Sequence, residues 1–94
     1  MSKTAGNSGF LVLHKAMETV LDREEKYGNA AGLYMMISEV WTSLVGVEIK
    51  PQMVPILLAS MKLCRQTINE NPDNLIDVAG YAEVAARVVN AHLG

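Results

Sequence analysis

The segment GNAAGLYMMISEVWTSLVG, residues 28–46, decides the fold. It opens on Gly28-Asn29, closes on Gly46, and between them holds a single charged residue, Glu39. Asparagine is a favoured helix N-cap, and glycine supplies the positive φ that commonly ends a helix, so the punctuation predicts a helix over 30–45. Leu33, Met36, Ile37, Val40 and Leu44 recur at three- and four-residue spacing and form its apolar stripe. Tyr34 and Trp41, seven residues apart, mark a second apolar face. A helix apolar on two sides is either central in a bundle or part of a subunit interface.

Working outward, Phe10, Leu13, Met17, Val20 and Leu21 repeat at helical spacing, with His14, Lys15, Glu18, Asp22 and Glu25 between them. That pattern predicts an amphipathic first helix from Gly9 to Tyr27. Met1 to Ser8, rich in Ser, Gly and Asn, reads as a flexible tail outside a single helical domain over residues 9–94. Beyond Gly46 a short connection leads to Pro51. Pro55 would lack its donor and clash in a helix begun at Pro51, so the third helix should start late or irregularly. Val54, Leu57, Leu58, Met61, Cys64 and Ile68 are its expected buried stripe. Asn69 to Asn71 break the pattern, and Pro72 suits the first turn of a last helix reaching about His92. Its narrow stripe is Leu75, Ala79, Ala82, Ala86 and Val89. No segment alternates as a strand would. The expectation is all-α: a four-helix, bundle-like domain with short connections and antiparallel sequential neighbours.

Composition bounds the rest. Half the residues are apolar and 19% are charged, which excludes the signature of disorder. A net charge of −2 gives no reason to expect nucleic acid or an anionic membrane as partner. One cysteine excludes an intrachain disulfide, and no apolar run approaches a membrane span, so the cytoplasm is the expected location. With five aromatic residues and six methionines, the core must come from aliphatic side chains and Met.

Three polar groupings remain. Asp73, Asp77 and Tyr81 stand four apart on the last helix. Lys62, Arg65 and Asn69 make a row on the third, and Arg23, Glu24, Lys26 and Tyr27 end the first. Two carboxylates one turn apart can hold Mg²⁺, which keeps waters for a phosphate-bearing ligand. Lysine and arginine can neutralise phosphate oxygens, the arginine bidentately. The plainer account has Asp73 serving the helix dipole and Asp77 pairing with Lys62 or Arg65 as a structural bridge. Cys64 reads as a packed thiol, and His14 and His92 as solvated, with no third residue to complete a nucleophilic constellation. Zinc-ligand spacing, a P-loop and a G-x-G-x-x-G are absent.

The order Arg23-x-x-x-Tyr27-Gly28, Trp41-x-x-Leu44-x-Gly46-x-x-Ile49-x-Pro51, Lys62-x-x-Arg65, Asp73-x-x-x-Asp77-x-Ala79-Gly80-Tyr81 resembles an uncharacterised phage and prophage family of small helical domains. The resemblance covers about Ala16 to Val89. It departs at Asn29-Ala30, where that family has an acidic residue and proline, and at Lys50-Pro51-Gln52-Met53. Asn74-x-x-Asp77 is also distantly similar to one metal motif of MazG-type and dimeric dUTPase-type all-α nucleotide pyrophosphohydrolases. Their other motif, E-x-x-E, has no counterpart here, so the acidic constellation is incomplete for metal-dependent hydrolysis.

These readings lead to an expected nucleotide or phosphate ligand. Arg23, Tyr27, Lys62, Arg65 and Tyr81 would bind it, and Asp73 and Asp77 would hold Mg²⁺. A homo-oligomer is expected. The competing expectation is a non-catalytic phage accessory protein that sequesters a host signalling nucleotide or inhibits a host defence protein. In a third, the charged rows are salt bridges and nothing more.

Overall fold

A computed structural model describes the backbone of residues 10–93 and the side chains of residues 10–90. The tail at 1–8 and the side chain of His92 lie outside the described residues. Four helices follow in order: α1 (Leu11–Tyr27), α2 (Ala30–Val45), α3 (Met53–Ile68) and α4 (Pro72–Leu93). The architecture is all-α and bundle-like.

The helix ends follow from local chemistry. Gly28 ends α1 at φ 80°, and its N–H donates to the Glu24 carbonyl. Asn29 then caps α2, its side chain accepting from the Ala31 N–H at 2.7 Å. Gly46 closes α2 in the left-handed region at φ 85°, donating to the Thr42 carbonyl. The Thr42 hydroxyl accepts from the Ile49 N–H at 2.8 Å and so folds the connection back on the helix. α3 starts late, at Met53, which leaves Pro55 in the first turn where no intrahelical donor is required. Asn71 accepts from the Asp73 N–H at 2.9 Å and begins α4 with Pro72 as its first residue.

α4 organises the domain: it packs most extensively on α3, then on α1, and more lightly on α2. Gln66 near the end of α3 meets Asn71 and Asn74 at the start of α4, while Lys62 meets Asp77 one turn further on, so these helices run antiparallel. α1 runs alongside α4 in the same direction. Lys15 and Glu18 share a depression with Asp73 and Asp77, Val20 lies beside Gly80, and Glu24 meets Arg87.

Which faces turn inward agrees with the expected stripes at Val20 and Val54 and differs at many other positions. On α1 the buried residues are Ala16 and Val20; Phe10, Leu13, Met17 and Leu21 are exposed. On α2 the Tyr34–Trp41 face packs inward with buried Ser38, and Leu33, Met36, Val40 and Leu44 point out. On α3 Val54 and Pro55 are buried while Leu57, Met61, Cys64 and Ile68 are exposed. On α4 the inner residues are Asn74 and Val88, and Leu75, Ala82 and Ala86 are exposed. Small and polar side chains let the helices approach α4 closely, and the polar ones are satisfied. Ser38 donates to the Met35 carbonyl at 2.7 Å, and Asn74 donates to Gln66 Oε1 at 3.1 Å. The radius of gyration is 15.0 Å, against about 12 Å for a spherical domain of this length.

Candidate functional site

The polar residues singled out in the sequence separate into two groups beside α4. The first surrounds Arg23, in the last two turns of α1. Arg23 and Tyr27 line a shallow depression together with Glu18, Thr19, Asp22 and Lys26. Lys26 is engaged by Asp22 at 3.3 Å across one turn, whereas Arg23 forms no ion pair with another described residue. Tyr34 of α2 stands within electrostatic reach of Arg23 and of Tyr81 of α4. Burial pushes the Tyr34 phenol above its usual range, Tyr81 adds to that rise, and the Arg23 charge opposes it. Tyr34 thus feels a cation from α1 and a phenol from α4, and Tyr27 is exposed at the rim of the depression that Arg23 lines.

The second group joins α3 to α4. Lys62 Nζ lies 2.8 Å from Asp77 Oδ2, so the bridge anticipated between these helices is made by the lysine. Asp73 is exposed in the first turn of α4 and shares a depression with Lys15, Glu18, Thr19, Ile76 and Asp77. Among the described residues, no three His, Cys, Asp or Glu side chains converge closely enough to hold a metal ion. Arg65 is exposed in the last turn of α3, where its carbonyl accepts from the Asn69 N–H, and it lines neither depression.

The expectation of a packed Cys64 is corrected: the thiol is exposed, because the inner face of α3 passes through Lys62 and Gln66 instead. His14 is solvated and lies 3.6 Å from Glu18.

Two residues were missed at the sequence level. Arg87 bonds Glu24 of α1 and, at 2.8 Å, Glu83 of its own helix. These carboxylates, Glu24 foremost, raise its already high pKa further. The four-residue spacing of Glu83 and Arg87 was a visible signal; the partner on α1 was not. Tyr34 was visible as half of the Tyr34–Trp41 face, but its neighbours Arg23 and Tyr81 come from distant parts of the chain.

Fold and site define a small all-α helical domain with a tyrosine-flanked arginine and a separate interhelical ion pair. The chain belongs to the DUF6378 family, a domain of unknown function whose family model matches residues 11–89. Comparison with curated proteins and with solved structures found no match.

Proposed function

We propose that this domain binds a phosphate-bearing ligand, a nucleotide being the class that best suits the groups present, and binds it without turnover. The observation that carries the reading is Arg23, a guanidinium with no ion-pair partner among the described residues, set within electrostatic reach of Tyr34. An unengaged guanidinium offers bidentate bonds to phosphate oxygens, and phenol hydroxyls can donate to the same group. Tyr27, largely exposed at the rim, offers a ring on which a base can stack. Lys62 and Asp77 satisfy each other and hold α3 to α4. Arg65 supplies positive charge at a distance. Asp73 and Asp77 are too few to fix an ion alone, so Mg²⁺ would enter with the ligand's own phosphates.

The landmarks that resemble a phage and prophage family support an accessory role in a host cytoplasm, with MazG-like architecture and without hydrolysis. A second reading is an oligomeric accessory protein that sequesters a host signalling nucleotide or blocks a host defence protein. The broad apolar surface of α2 favours it.

The test is thermal unfolding against mono-, di-, tri- and cyclic nucleotides, each with and without Mg²⁺. A ligand at a hundred times its Kd should stabilise by about 2.7 kcal/mol, several degrees in a domain of this size. The shift should vanish in Arg23→Gln and persist in Arg65→Ala. A shift unchanged in Arg23→Gln would remove Arg23 from the site, and no shift with any nucleotide would defeat the reading.

A further inference from the structure

We infer that the ligand of the Arg23 site is a nucleoside phosphodiester carrying a single negative charge, in preference to a nucleoside mono-, di- or triphosphate. This rests on the reading of Arg23 as the phosphate contact and concerns how much charge its surroundings accept. α1 presents two adjacent rows to the depression, each at four-residue spacing. Thr19, Arg23 and Tyr27 form one row, and Glu18, Asp22 and Lys26 form the other. Two carboxylates thus stand against two cations. Lys26 lies 3.3 Å from Asp22 on an exposed face, in a pair that exchanges easily. An anion that drew Lys26 away would nevertheless leave the Asp22 carboxylate uncompensated beside it. Arg23 is the cation of this lining without an ion-pair partner among the described residues, so a single negative charge is what the depression neutralises.

The neighbouring groups oppose a second charge. The Thr19 hydroxyl donates to the Lys15 carbonyl at 2.9 Å, so its proton is spent within the helix. Past Thr19 the surface turns acidic, because Glu18 and Thr19 also line the second depression with Asp73 and Asp77. There Lys15 is set against three carboxylates, of which Lys62 matches only Asp77. Tyr27 stands one turn the other way, about 6 Å along the axis from Arg23. With a base on that ring and a phosphate on Arg23, further phosphates run toward Glu18 and Asp73 or out into water. Among the described residues, no carboxylate cluster is able to hold a metal ion that would reverse this sign.

Ligand chemistry makes the distinction sharp. A phosphodiester keeps one negative charge across neutral pH, whereas a phosphate monoester carries about −1.5 to −2 at pH 7. One further charge about 6 Å from an unmatched carboxylate costs roughly threefold in affinity even in water. Each added phosphate of a polyphosphate repeats that cost.

Titration calorimetry on the whole chain at low ionic strength tests this. The probes are 3′,5′-cyclic mononucleotides of the four common bases, dinucleoside monophosphates, and the matching 5′-mono-, di- and triphosphates. For whichever base binds best, a diester should bind tightest, and the monophosphate roughly threefold or more weakly. A tight cyclic form or a tight linear form supports the proposal equally and tells the two sources of the diester apart. Asp22→Asn, an exposed site, should raise affinity for the monophosphate more than for the diester. A mono- or triphosphate that matches the diester, with or without Mg²⁺, would overturn the proposal, as would equal gains in Asp22→Asn. In those cases Arg23 still binds phosphate and only the charge preference falls. Binding of no nucleotide at all would overturn this inference together with the reading beneath it.

Discussion

Lys62 of α3 and Asp77 of α4 meet at 2.8 Å with the lysine side chain 19% exposed and the aspartate 35%. The pair lies between the extremes of surface bridges, worth about 0–1 kcal/mol, and fully buried ones, whose disruption costs about 3–5 kcal/mol. Lys62→Met should therefore destabilise by about 1–2 kcal/mol in urea unfolding, and Asp77→Asn by a similar amount. The double variant should lose less than the sum, with a coupling of roughly 0.5–1.5 kcal/mol. Additive losses would mean that the two groups do not act on each other.

Gly80 sits where α1 and α4 run side by side, and a Cβ built there would meet Val20 Cγ2 at 3.6 Å, an ordinary contact. Space is therefore available, and the glycine keeps its backbone-entropy cost in mid-helix. Gly80→Ala should raise stability by about 0.5–1 kcal/mol, read as a higher urea midpoint with unchanged slope. Gly80→Val pushes two more carbons toward Val20 and should reverse the sign. If alanine destabilises, the α1–α4 approach is tighter than this contact implies.

Helix positions were legible in the chain because punctuation is local: Gly28-Asn29, Gly46 and Asn71-Pro72 act on their immediate neighbours. Inward faces were not, because each helix carries apolar residues on more than one side. Choosing the largest apolar side chains as core picked Leu33, Met36 and Val40, whereas many of the inward-facing residues are smaller, polar or aromatic: Ala16, Ser38, Gln66, Asn74 and Tyr34. Those polar groups are acceptable inside because their bonding partners, such as Gln66 for Asn74, come from another helix. Periodicity cannot announce such a partner. The Lys62–Asp77 bridge was legible as one of two pairings between adjacent helices; the neighbours of Tyr34, Arg23 and Tyr81, were not, since they come from distant parts of the chain.

Cys64 is exposed although it stands in an apolar run, and this has a direct chemical consequence. An aromatic disulfide reagent should modify the native protein in one phase at a rate close to that in denaturant, because no opening step is required. Stoichiometry should be one thiol per chain. Slow modification that follows global unfolding would show a packed thiol and a different rotation of α3.

Tyr34 links stability to alkaline pH, and the sign follows from its surroundings. Burial, then Tyr81, raise its phenol pKa above the usual value near 10, while Arg23 opposes the rise. The folded state therefore holds the Tyr34 proton more tightly than the unfolded chain. The stability this contributes is fully present below pH ~10 and is lost as pH climbs through the higher folded value. Urea midpoints between about pH 8 and 11 should fall for wild type and fall less for Tyr34→Phe. Arg23→Gln removes the opposing charge, raises the Tyr34 pKa further and should steepen the alkaline loss. Equal slopes in wild type and Tyr34→Phe would show that Tyr34 is not held protonated by the fold. A steeper slope in Arg23→Gln that disappears when Tyr34→Phe is added would place the two side chains in one electrostatic unit, independent of any ligand.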